Sequence, residues 1–292
     1  MRYSIIVSLC LGSAVALSGC DKLNQEEVER SVAGVNVIDQ SNLNDVMISA
    51  ADPEEGVAYF TRTLEQSPDR VDLKRGLAKS LVRARRPAEA ARIWTEVVES
   101  PEGTPEDKVM LSDALIRAGD WSKAEDILDT IPPTHESYDR YRLEAMVADA
   151  DQDWKRADSF YETAVGLTTQ PANTLNNWGF SKLSRGDYPG AEKLFLEALT
   201  YDKSNFTAKN NLVMARGAQR KYDIPPIEMT QVERAQLLYT MALAAIKKGD
   251  VTMGKTLLEE AVETHPQHFD EAARALRTLE SDGGATTIVK QG

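Results

Sequence analysis

Small residues return along this chain at a nearly fixed interval. Gly56, Ala90, Ala124, Ala157 and Ala191 are separated by 34, 34, 33 and 34 residues. Between them apolar residues recur at three and four, the spacing of one helix face, and period-two alternation is absent. An interval of this length marks a repeated supersecondary unit that buries its apolar face only by stacking on its neighbours. The stretch "WGFSKLSRGDYPGAEKLFLEAL" shows the unit most fully, with Gly179, Gly186, Ala191, Phe195 and Ala198 at offsets 0, 7, 12, 16 and 19. Gly179 and Ala191 are small where two helices must cross closely. Gly186 ends the first helix, and Phe195 and Ala198 are placed to pack on the next unit.

Other stretches repeat the arrangement in phase. Tyr161 and Ala164 follow Ala157, Trp94 follows Ala90 in the aromatic slot, and Phe60 and Pro68 follow Gly56. Further on, Gly249, Gly254, Leu258, Ala261 and Pro266 restate the turn and the second helix. The pattern resembles the tetratricopeptide repeat. That resemblance implies an all-α fold, a right-handed superhelical solenoid of helix–turn–helix pairs over Val37–Gln267, with "FDEAARALRTLE" as a C-terminal capping helix.

One unit departs from the pattern. After "KNNLVMARGAQRKY" a second helix is due, but "DIPPIEMTQ" arrives, and the tandem Pro225–Pro226 cannot sit inside a helix. A new pair is expected from Thr230, as N-cap, with Glu233 completing a capping box. The proline segment reads as a tolerated surface insertion, as a divider between an N-terminal array (37–222) and a C-terminal helical lobe (223–280), or as a loop folded onto the groove.

The two ends read differently from the repeat. "MRYSIIVSLCLGSAVALSGC" places Arg2 before an apolar run too short to span a bilayer, as in a secretory signal. Its close, "LSGC", resembles the bacterial lipobox. That implies removal of residues 1–19 and lipidation of Cys20, with residues 20–36 as a flexible tether. With Cys10 removed and Cys20 acylated, the mature chain holds no disulfide, so helix packing must stabilise it. The expected location is the cell envelope, facing the periplasm. The outer membrane is preferred, although Asp21 resembles an inner-membrane retention signal of enterobacteria. Residues 281–292, with two glycines and no periodic pattern, are expected to form a disordered tail. Of 292 residues, 34 are Lys or Arg and 46 are Asp or Glu, a net charge of -12, which disfavours a nucleic-acid partner.

Within the array, Asn176–Asn177 recurs 34 residues later as Asn210–Asn211. In the repeat frame these positions face the groove or its border, as do Asn173, Phe180, Thr207 and Met214. A side-chain amide offers one acceptor and two donors, which suits the backbone of an extended peptide. The pairs resemble the Asn ladders of peptide-binding tetratricopeptide domains, although no Lys or Arg accompanies them to fix a terminal carboxylate. The competing reading ties one helix of the solenoid to the next. A second feature is the basic run Arg70–Arg92, where Arg75, Lys79 and Arg83 recur at four on one helix, as a face for an acidic partner or as a solvated face. His265 and His268 have a spacing that can serve a metal, but Pro266 lies between them and no third ligand is placed, so no metal, cofactor or catalytic constellation is expected.

The lipobox, the tether and "NNWGFSKLSRGDYPGAEKLFLEAL…AKNNLVMARGAQRKY" together resemble the TadD lipoproteins of the tight-adherence pilus machinery. The resemblance implies a non-enzymatic, membrane-anchored adaptor, pilotin-like, whose groove receives an extended segment of a secretin or another pilus component. The alternatives are an outer-membrane biogenesis lipoprotein resembling BamD and an adaptor for murein hydrolases.

Overall fold

The computed structural model describes residues 43–289, with side chains to Ser281. The lipobox, Cys20 and the tether lie outside the described residues. Every regular element described is an α-helix, as the apolar spacing predicts. In chain order they are α1 (43–49), α2 (Pro53–Gln66), α3 (Val71–Arg83), α4 (Pro87–Glu99), α5 (Pro105–Ala118), α6 (Trp121–Asp129) and α7 (Tyr138–Ala150). There follow α8 (Trp154–Gly166), α9 (Ala172–Ser184), α10 (Tyr188–Tyr201), α11 (Phe206–Ala218), α12 (Gln231–Lys247), α13 (Val251–Thr264) and α14 (Asp270–Val289). The chain divides into two compact units, with the boundary in the sequence of α4 between Ile93 and Trp94.

The turn that closes each helical pair is written in the backbone. Arg85, Gly119, Gln152, Gly186 and Arg220 all have positive φ, and they lie 34, 33, 34 and 34 residues apart. Gly249 adds a sixth such turn after a shortened interval of 29. At each one the next residue's N–H reaches back five residues to a helix carbonyl, for example Asp187 N to Lys182 O at 2.9 Å, which closes a Schellman turn. At three of them an Asp follows directly and caps the next helix: Asp120 accepts from Lys123 N, Asp153 from Arg156 N, and Asp187 from Gly190 N.

In the first unit α2 and α3 pack as a hairpin. Phe60 is fully buried, and a Cβ on Gly76 would come within 2.4 Å of its ring, so only glycine lets the helices approach there. Asp52 caps α2, with Pro53 at its first position. Tyr59 donates to Asn44 at 2.9 Å, tying α1 to this hairpin.

The second unit repeats the device. Phe195 is fully buried against Gly179, where a Cβ would meet the ring at 2.7 Å. Ala124, Ala157 and Ala191, small residues of the sequence interval, are all fully buried, as is Ala261 of α13. Thr230 and Glu233 form the expected capping box at the start of α12, with Glu233 N to Thr230 Oγ1 at 3.1 Å and Thr230 N to Glu233 Oε2 at 2.7 Å.

Pro225–Pro226 do not mark a break in packing. Val213 of α11 shares a buried cluster with Leu238 and Met241 of α12 and Leu258 of α13. A Cβ on Gly217 of α11 would meet Ala244 of α12 at 2.6 Å. Residues 219–230 act as a strap. Ile227 packs on the cluster of α9, α10 and α11, and Tyr222, Ile224 and Met229 pack on the cluster of α12 and α13. Helix α14 runs past Ser281 to Val289, where the sequence reading placed an unstructured tail. Gly283 and Gly284 each cost a helix about 1 kcal/mol relative to alanine, an unfavourable bias rather than a stop.

Candidate functional site

The second unit has a concavity of about 590 Å³ built from four successive pieces of the repeat. Its aromatic members are Trp121, Trp154, Tyr161 and Phe180. Trp121 and Trp154 occupy the same place in their units, the first helical residue after the Asp cap, 33 residues apart. The Schellman turn and the cap fix where such a residue emerges, so a ring at that position faces the groove rather than the hairpin core. Trp121 is 37% exposed and Phe180 53%, a high exposure for apolar rings in a concavity. Arg185 lies 5.5 Å from the Trp154 ring centre, close enough for a cation–π contact.

The polar members come from the C-terminal turn of α7, from α9, and from the start of α11. Asp149 accepts from Ser181 Oγ at 2.6 Å and from Tyr161 Oη at 2.9 Å. Burial pushes its carboxyl above the usual range, against the pull of those two donors. Burial, then the neighbouring Asp149 charge, pushes the Tyr161 hydroxyl well above its ordinary value. Asp149 therefore fixes the floor and keeps Tyr161 a donor. Behind it Asp158 takes Trp178 Nε1 at 2.6 Å, Lys182 at 3.0 Å and Arg185 at 2.5 Å. Burial opposes the Asp158 charge, but these donors hold its carboxyl below the usual range.

The paired asparagines do not act alike. Asn176, Asn177, Phe180, Thr207 and Asn211 line this concavity together. Asn210 and Met214 line a second one, of about 550 Å³, and Asn173 lines neither. Asn211 is buried and donates to Asn176 Oδ1 at 3.1 Å, tying α11 to α9. Asn210 accepts from Thr240 at 2.8 Å, tying α11 to α12. Asn173 accepts from Asn205 at a long 3.5 Å. Among the described residues the Asn177 side chain has no hydrogen-bond partner and is half-buried in the concavity. So three of the four paired amides bond within the solenoid, and one, Asn177, has no partner among the described residues.

The basic face in the first unit also divides. Arg83 reaches the carbonyls of Ile48 at 2.7 Å and Ala51 at 2.9 Å, so it satisfies the end of α1 instead of presenting charge. Lys79 is exposed and Arg75 half-buried. His265 bonds the Gln267 backbone and tilts against Phe269, while His268 meets Asp270 at 2.9 Å. Among the described residues no three His, Cys, Asp or Glu side chains are grouped to hold a metal ion. No described helix is long and apolar enough to cross a membrane.

Stacked helical hairpins with a 34-residue turn period, glycine or alanine at each crossing and a groove lined by successive hairpins decide the class. The fold is that of the tetratricopeptide repeats. A tetratricopeptide repeat model matches residues 48–107. A tetratricopeptide repeat protein from Parabacteroides merdae is similar with a TM-score of 0.54 at 11% identity, over 82% of this chain and 96% of that one. The crystal structure of the APC/C hetero-tetramer Cut9–Hcn1 is similar with a TM-score of 0.58 at 14% identity, over 81% of this chain and 48% of that one. Tetratricopeptide repeat protein 21B of Mus musculus is 26% identical over 137 residues, 43% of this chain and 10% of that protein. The chain thus spans a tenth of that curated relative and about half of the Cut9–Hcn1 chain. Tetratricopeptide folds are scaffolds for protein–protein interaction, and the concavity has the make-up that such a role requires.

Trp121 and Trp154 were not among the site residues expected from the sequence. The signal was present in their interval of 33 residues, one short of the 34 between the asparagine pairs, and in their place directly after Asp120 and Asp153.

Proposed function

We propose that this chain is a membrane-tethered, non-enzymatic adaptor that holds an extended segment of a partner protein in the concavity of Trp121, Trp154 and Phe180. The observation that carries the reading is the conjunction of exposed rings with the unpartnered Asn177 amide. Rings in a concavity supply most of the affinity for an apolar side chain. An amide beside them can pair with one peptide unit of the bound backbone. Lipidation at Cys20 would hold the adaptor at the envelope and raise the local concentration of groove and partner, so that a modest groove suffices. The resemblance of Asn173–Tyr222 to the TadD lipoproteins makes a secretin or another tight-adherence pilus component the first candidate partner.

The test is a crosslinking pull-down of the full-length lipidated protein from its own envelopes, beside a Phe180→Ala/Asn177→Ala variant. The reading expects a secretin or pilus subunit with the wild type and its loss with the variant. A barrel-assembly protein or a murein hydrolase lost in the same way would keep the groove and remove the pilus assignment. The same partners recovered with both proteins would remove the groove.

A further inference from the structure

These concavities, the one at Trp121, Trp154 and Phe180 and the one at Asn210 and Met214, differ in charge. The first is lined by the carboxylate of Asp149 and by no cation. The second is lined by Lys247 and Lys248 and by no carboxylate. We propose that the second concavity is a separate docking site for an acidic, apolar segment of a partner protein. An apolar side chain of that segment seats on Met214 and Leu243, between α11 and α12, and its flanking carboxylates meet Lys247 and Lys248.

Charge argues for this occupant. The chain carries a net charge of -12, so an acidic segment is repelled from most of its surface. Cations close by in sequence are neutralised within the fold: Arg216 and Lys221 by Glu192, Arg220 by Asp250, and Arg234 by Glu260. Among the described residues Lys247 and Lys248 make no ion pair, and the Lys248 ammonium lies 5.5 Å from the centre of the Tyr188 ring at the edge of the concavity. Two unneutralised ammonium groups beside an apolar hollow select carboxylates over amines.

The floor fits an apolar side chain flanked by peptide groups. Met214 is 39% and Leu243 43% exposed, and methionine adapts to the shape of its neighbour. Asn210 is fixed by Thr240 through its oxygen, while its Nδ2 rests on Met214 Sδ at 3.7 Å. A thioether is a weak acceptor, so a peptide carbonyl would displace it.

The experiment is selection of a random dodecapeptide display library on the full chain, followed by anisotropy titration of the enriched peptides. Four proteins are compared: wild type, Lys247→Glu/Lys248→Glu, Leu243→Asp and Phe180→Ala. The proposal expects a class of peptides in which Asp or Glu neighbours Leu, Phe or Met. Their affinity should fall at least tenfold in the double lysine variant, stay unchanged in Phe180→Ala, and weaken with added salt. Thermal melts of the double variant check that it remains folded, and Leu243→Asp should remove the same class without touching the lysines. Enrichment of no acidic class, or an acidic class indifferent to both the lysine and the Leu243 changes, would overturn it. An acidic class lost in Phe180→Ala would overturn it in favour of the first concavity.

Discussion

Two hairpins of the second unit begin alike and end differently. Helix α9 and helix α11 both carry an asparagine pair, and both end in a Schellman turn, at Gly186 and at Arg220. After Gly186 comes Asp187, which caps α10 through Gly190 N. After Arg220 comes Lys221, which has no acceptor to offer a helix N-terminus and reaches back to Glu192 at 2.9 Å instead. Tyr188 opens a helix, whereas the equivalent Tyr222 bonds Asp250, and Pro225–Pro226 follow. The comparison teaches that the turn and the second helix are specified separately. Losing the cap and gaining two prolines removes the helix without removing the turn. The strap then covers α10 with Ile227, and α12 becomes the direct neighbour of α11, which brings Lys247 and Lys248 to a groove.

The sharpest way to break this comparison is to remove the core residue on each side of it. Phe195→Ala leaves a cavity against Gly179 and should cost about 3–5 kcal/mol, whereas Ile227→Ala in the half-exposed strap should cost about 1–2 kcal/mol. Urea melts of the two variants decide it, and equal losses would mean that the strap is as integral as a helix. Next in size is the tie between α11 and α12. The Lys209 ammonium is almost fully buried and reaches Glu233 at 2.9 Å, and Glu233 also closes the capping box. Glu233→Ala strands that charge and should cost about 2–3 kcal/mol, while Glu233→Gln should recover part of it. If Glu233→Ala melts like the wild type, Lys209 finds water and the tie is decorative.

Much of this architecture could be read from the sequence. The turn period, the small residues at crossings and the capping box at Thr230–Glu233 depend on neighbours within one or two turns, and they stand where the spacing placed them. The site was less legible because it depends on direction. Asn210 and Asn211 are adjacent, but neighbours on a helix project about 100° apart, so one faces α12 and the other α9. Arg83 looked like a free cation because its acceptors, the carbonyls of residues 47–51, lie more than thirty residues away in the chain. Trp121 and Trp154 gave no clear signal because aromatic rings are usually core, and only the geometry of the turn places the exposed Trp121 and the half-buried Trp154 in the concavity.

Two smaller effects sharpen the comparison further. Glu192 of α10 binds Lys221 and Gln219 at the start of the strap and Arg216 at the end of α11. Burial opposes its charge, yet these three donors hold its carboxyl below the ordinary range. A depressed folded-state value stabilises above the unfolded carboxyl value of about 4.3, and that share is lost as pH falls through the folded value. Glu192→Gln should therefore cost about 1–2 kcal/mol near neutral pH and flatten the acid side of a stability–pH curve. A variant curve parallel to the wild type would show that the strap titrates through other groups. Smallest is Gln152→Gly. Gln152 holds a positive φ where the equivalent Gly119 and Gly186 are unstrained, so the change should raise stability by about 1 kcal/mol. A loss of stability on calorimetry would mean that the Gln152 side chain contributes more than its backbone strain costs.

The measurement closest to the central claim is site-specific photocrosslinking in living envelopes, with a photoreactive residue replacing Phe180 in one strain and Leu196, beside the strap, in another. The account predicts a discrete partner adduct from position 180, competed by a peptide from that partner, and none from position 196. The same adduct from position 196 and nothing from position 180 would place binding on the strap side and contradict the groove reading.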